Sequence, residues 1–126
     1  AIDVYKEYIF FYTKLQPGKD SIHFEPLVLI ASSYVQLNQF DSAYAYYSLA
    51  ETLLSRYPDL PVNQTLRFYN EIGFLLLSIG NYAQSINYYE KALSILNYDP
   101  LSGDEKNPDA LIRFVRYTNN IANALS

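Results

Sequence analysis

A chain of 126 residues, 14.5 kDa, is long enough to bury roughly two thirds of its unfolded surface in one domain, and a composition half hydrophobic and 17% charged excludes a disordered tail. The absence of cysteine excludes a disulfide framework and any thiolate metal site, and a single histidine, His23, leaves imidazole chemistry one candidate. A formal charge of −4 opposes direct binding to phosphate backbones, and no apolar run approaches the ~20 residues of a membrane span, so a soluble, cytoplasmic protein without nucleic-acid or membrane ligands is expected. A chain that opens Ala-Ile-Asp and contains no methionine reads as a segment of something longer.

Taken in chain order, residues 1–16 carry apolar side chains nearly all round, among them Val4, Tyr5, Tyr8, Ile9, Phe10, Phe11, Tyr12 and Leu15. They are expected to form a leading helix, the second helix of an earlier, truncated repeat, followed by a loop through Pro17 to Glu25. Residues 25–58 and 62–100 then repeat each other at a fixed offset of 73 − 31 = 42: Ile30 with Ile72, Ala31 with Gly73, Tyr34 with Leu76, Phe40 with Tyr82, Ala43 with Ser85, Tyr47 with Tyr89 and Ala50 with Ala92. Within the second unit, Tyr69, Ile72, Leu76 and Ile79 form one helix-period stripe, and Tyr82, Ile86, Tyr89, Leu93 and Leu96 form the next.

Gly80 between them suits the left-handed residue that closes a helix, and Asn81 is expected to cap the donors of the following one. Asn38-Gln39 marks the corresponding turn of the first unit. Prolines bracket the hairpins: Pro58 follows a helix, while Pro26, Pro61 and Pro108 stand where first helical residues belong. The polar Asn97 to Asn107 connection reads as an exposed loop, and residues 108–126 as the first helix of an incomplete third repeat, with Ala122 at the small position. The expected architecture is all-α, about six helices in antiparallel hairpins stacked as a solenoid, within one domain spanning 1–126. The packing signature is Ala31, Ala43, Ala50, Gly73, Ser85 and Ala92, small residues that let helices approach to the ~8 Å end of packing distances.

This pattern resembles the tetratricopeptide repeat family. Tyr69, Ile72-Gly73, Leu76, Ser85, Tyr89, Ala92 and Pro100 follow the family motif in the second unit. Leu27, Ile30-Ala31, Tyr34, Ala43, Tyr47, Ala50 and Pro58 follow it in the first, with Leu27 replacing the aromatic and Ala31 the glycine. Ser85 replaces the usual alanine, and the period of 42 exceeds the family's own. The long period, the Asn-rich first helices and the stretch Phe114 to Asn120 give a weaker likeness to the peptide-pheromone receptors of Gram-positive bacteria, the Rap and RNPP types.

The resemblance implies a right-handed solenoid whose concave surface is lined by first helices, so that positions two, five and nine of each unit face a protein or linear-peptide ligand. These are Arg67, Asn70 and Phe74 in the second unit and Arg116, Asn119 and Asn123 in the third, each set spaced along one helical face. Asparagine offers a donor and an acceptor to a peptide backbone, and arginine can hold a carboxylate bidentately. The first unit supplies Glu25, Val28 and Ser32 instead. Only Arg67 and Arg116 stand as partial equivalents of the carboxylate clamp known in the family's co-chaperones.

The tyrosines are expected mostly in the core, with Tyr46 and Tyr88 turned further outward than Tyr47 and Tyr89. His23 is expected on the surface of a loop. With no partner nucleophile, no metal-ligand spacing and no phosphate loop, neither catalysis nor a cofactor or metal is expected. Alternatives to a binding scaffold are a peptide-sensing regulatory module and a segment that associates with itself, as a homodimer or with flanking repeats, through uncapped ends.

Overall fold

The turn chemistry sets the fold. In the computed structural model, which describes residues 20–97 and 108–126, Asn38 and Gly80 both adopt the left-handed conformation, at φ 58° and 86°. The Asn38 N–H donates to the Val35 carbonyl and the Gln39 N–H to the Tyr34 carbonyl. Forty-two residues on, the Gly80 N–H donates to the Leu77 carbonyl and the Asn81 N–H to the Leu76 carbonyl. This pair of bonds is a Schellman closure, which satisfies the last carbonyls of one helix while reversing the chain into the next. The repeat is therefore visible bond by bond in the backbone as well as in the sequence.

A 3-10 turn, Asp20–His23, leads into five α-helices among the described residues: α1 Phe24–Gln36, α2 Phe40–Arg56, α3 Val62–Ser78, α4 Tyr82–Leu96 and α5 Pro108–Leu125. The all-α, helix-turn-helix reading holds. The leading helix over 1–16 and most of the Asn97 to Asn107 connection lie outside the described residues. Pro108 opens α5 and Pro58 follows α2, as expected. Pro26, however, is the third residue of α1, because the 3-10 turn starts the helix two residues earlier, and Pro61 sits just before α3. Asn81 stands at the N-cap of α4 without capping it. Its amide instead donates to Gln84 Oε1 at 3.1 Å.

The chain divides into two compact units at Gln64/Thr65. In the first, α1 and α2 bury Phe24, Leu27, Ile30, Ala31, Ala43, Tyr47 and Ala50, and Tyr34 stacks on Tyr46 with ring centroids 5.5 Å apart. The Gln64 amide donates to Glu25 Oε2 at 3.0 Å. In the second, α3 and α4 close on Gly73: a Cβ there would lie 3.0–3.1 Å from three ring atoms of Tyr89, so only glycine lets the ring lie on the helix. Ser85 is buried on the same contact and donates its hydroxyl to the Gly73 carbonyl at 2.7 Å. That bond is what serine adds over the alanine at position 43. α5 packs on α4 through a core of Leu66, Tyr89, Ala92 and Tyr117, flanked by Tyr69, Leu93, Leu96 and Ile121.

Several expectations are corrected. Ile79 and Tyr82 belong to the proposed stripes, yet both are exposed, since they flank the turn, and Leu75 and Phe68 fill the interior instead. Tyr88 is less deeply buried than Tyr89, as expected, yet still lies in the core: it meets Phe68 edge-on at 6.4 Å and Tyr69 at 6.1 Å. Lys91 Nζ lies 4.9 Å over its ring, a cation-π contact that covers the remaining face. His23 is also buried, because the 3-10 turn tucks it against the start of α1.

Candidate functional site

Helical spacing decides which polar residues can act together. Arg116, Asn119 and Asn123 follow one another at three and four residues along α5, so each successive residue returns to the same face. All three are exposed. The opposite side of the helix, through Ala110, Tyr117 and Ala124, is buried, which leaves the polar arc outward.

On α3 the expected trio divides. Arg67 is exposed but Nε lies 3.1 Å from Glu71 Oε1, an i,i+4 pair that neutralises part of its charge. Asn70 is partly covered and its Oδ1 is turned out of solvent. Phe74 is 53% exposed and presents an aromatic face. Val28 in the first unit is buried in the core and faces no ligand, and Glu25 is half-buried and engaged by Gln64.

Beneath the polar arc of α5 lies a tyrosine pair. Tyr89 and Tyr117 pack with ring centroids 6.2 Å apart. Burial pushes the Tyr89 phenol far above the usual tyrosine value, an effect that the Asn120 side chain partly offsets and Tyr117 adds to. Burial also raises Tyr117, against the pull of Arg113 and Arg116. Both phenols stay neutral at physiological pH and serve packing.

Sequence reasoning missed Glu71, Asn120 and Arg113. The first was legible, since Arg67 and Glu71 stand at ion-pair spacing. The other two depend on how α5 rotates against α4, which no local pattern fixes. For chemistry the surroundings are poor. His23 is buried in the first unit, and among the described residues no group of three His, Asp or Glu side chains could hold a metal ion. No helix among the described residues is long and apolar enough to cross a membrane.

The tetratricopeptide repeat family model matches residues 24–53 and 66–95. The two matches begin 66 − 24 = 42 residues apart, the same offset that relates the two Schellman closures. Neither a curated protein nor a solved structure matches the chain.

Proposed function

From a chain that belongs to the tetratricopeptide repeat family, a family of protein-interaction scaffolds, we propose a specific reading: a non-catalytic module that binds an extended peptide segment of its partner along the first helices of its repeats. The observation that carries it is the single exposed arc of Arg116, Asn119 and Asn123 on α5. An arginine followed by two carboxamides matches a peptide's carboxylate and backbone amides, and groups held on a packed helix bind with little loss of conformational entropy.

Phe74 contributes an apolar anchor from α3, and Arg67, shared with Glu71, contributes less charge than its position suggests. The acidic end of the ligand therefore belongs on α5. Arg116→Ala with Asn123→Ala removes the arc at two exposed positions, so the fold is retained. Immobilised wild-type chain is expected to retain from its source-cell lysate a partner that the double variant loses, as read by mass spectrometry. Equal retention by both forms rejects the α5 arc as the binding face.

A further inference from the structure

Two polar atoms of the second unit are closed off from solvent and have no hydrogen-bond partner among the described residues: the Tyr89 hydroxyl and Asn70 Oδ1. A donor or acceptor that has given up water on burial is unfavourable unless another bond replaces it. The fold brings the two together. Leu66, Asn70 and Gly73 follow one another at four and three residues along α3 and so share a face. Leu66 packs in the cluster that holds Tyr89, and Gly73 receives the phenol end of the ring, with Cζ 3.0 Å from where a Cβ would stand. Asn70 therefore lies between two contacts with one ring. Cβ positions three residues apart on a helix are ~5–6 Å from each other, which leaves the Asn70 carboxamide and the Tyr89 hydroxyl within reach of a single bridging molecule.

α5 supplies a third group. Asn120 follows Tyr117 by three residues, on the side of α5 that packs against α4. Its side chain partly offsets the effect of burial on the Tyr89 phenol, which places it beside the hydroxyl, yet no direct bond of hydrogen-bond geometry joins the two.

We propose that the Tyr89 hydroxyl, Asn70 Oδ1 and the Asn120 carboxamide bind one internal water that links α3, α4 and α5. The occupant is small, because neither partnerless atom is open to solvent and a peptide segment has no path to them. It must also both donate and accept. Asn70 Oδ1 can only accept, whereas the phenol has a proton to donate. Water donates to Asn70 Oδ1, accepts from the Tyr89 O–H and keeps a further bond for Asn120, the three partners usual for a buried water. An ammonium ion offers no acceptor and a halide no donor. The site goes beyond the ligand reading and takes Asn70 out of it: this asparagine joins helices, while Arg116, Asn119 and Asn123 remain on the outer arc.

Oxygen-17 magnetic relaxation dispersion counts the waters held for long times inside a protein. Compared with wild type, Tyr89→Phe, which removes only the hydroxyl, is expected to lose one such water, and Asn70→Leu to lose one. The double variant should also lose one, since both groups hold the same molecule. Helical circular dichroism checks that each variant is folded. A crystal structure of the wild-type chain tests the site without any variant, and should place a water within hydrogen-bond distance of Tyr89 Oη, Asn70 Oδ1 and the Asn120 carboxamide. A count that Tyr89→Phe leaves unchanged, a double variant that loses two waters, or a direct bond from Tyr89 to Asn70 or Asn120 in place of the water overturns the proposal.

Discussion

The two hairpins solve one packing problem in two ways. In the first, α1 offers Ala31 at the small position, and both it and Tyr47 are buried. In the second, α3 offers Gly73, and the Tyr89 ring lies so close that an added Cβ would stand 3.0–3.1 Å from it. Ser85 then donates to the Gly73 carbonyl where the first hairpin has Ala43. One period and one pair of closing hydrogen bonds thus coexist with different tolerances: the second hairpin holds its tyrosine against bare backbone and has no slack there. Repeat membership fixes the path of the chain, while the small residues fix how far each hairpin can be altered.

The largest expected effect tests this contact. Gly73→Leu should destabilise the second unit at or beyond the upper end of the ~1–3 kcal/mol typical of overpacking, because Tyr89 is fully buried and has nowhere to swing. Gly73→Ala should also lower the melting temperature, although alanine ordinarily stabilises a helix by ~1 kcal/mol over glycine. Ala31→Gly should cost only about that propensity and a lost methyl. Thermal unfolding followed by circular dichroism checks all three, and a melting temperature raised by Gly73→Ala removes the distinction between the hairpins.

Much of this was legible in the sequence. The period of 42, the turns at Asn38 and Gly80 and the six small positions follow from local rules, because a left-handed residue and a close helix contact each demand particular side chains. What was not legible depends on rotation and tertiary cover. Tyr88 is buried only because Phe68, Tyr69 and Lys91 close over it, and His23 only because a 3-10 turn precedes α1. On α3 the polar trio splits for the same reason: periodicity places Arg67, Asn70 and Phe74 on one face, yet Glu71 takes up the arginine and neighbouring structure covers the asparagine. The trio on α5 stays exposed as a set.

A second effect belongs to the tyrosine pair under α5. Tyr89 and Tyr117 hold their protons more tightly in the folded state than in the unfolded chain. The unfolded chain therefore releases these protons first, and the stability they carry is full below about pH 10, the unfolded tyrosine value. It is lost progressively as pH rises from there toward the folded values. Melting temperatures measured from pH 8 to pH 11.5 should fall above pH 10, and Tyr89→Phe should flatten the fall. A variant that falls as steeply as wild type assigns the alkaline loss to other groups.

The smallest effects lie at the two turns, where the hairpins differ in residue but not in geometry. Gly80 has open space around its Cα, so Gly80→Ala meets no neighbour, and its cost is the backbone alone: about 1 kcal/mol for a side chain held at φ 86°. Asn38 already bears a side chain at φ 58°, a conformation that asparagine tolerates better than most residues. Asn38→Gly should therefore change stability by only a few tenths of a kcal/mol, as relief of the left-handed strain offsets the added freedom of the unfolded chain. Asn38→Ala should cost nearly as much as Gly80→Ala, since both place the same Cβ in the same closure. If the two alanine variants differ by more than ~1 kcal/mol, the turns are not equivalent in energy despite their matched hydrogen bonds, and the second hairpin's dependence on glycine extends from its packing face to its turn.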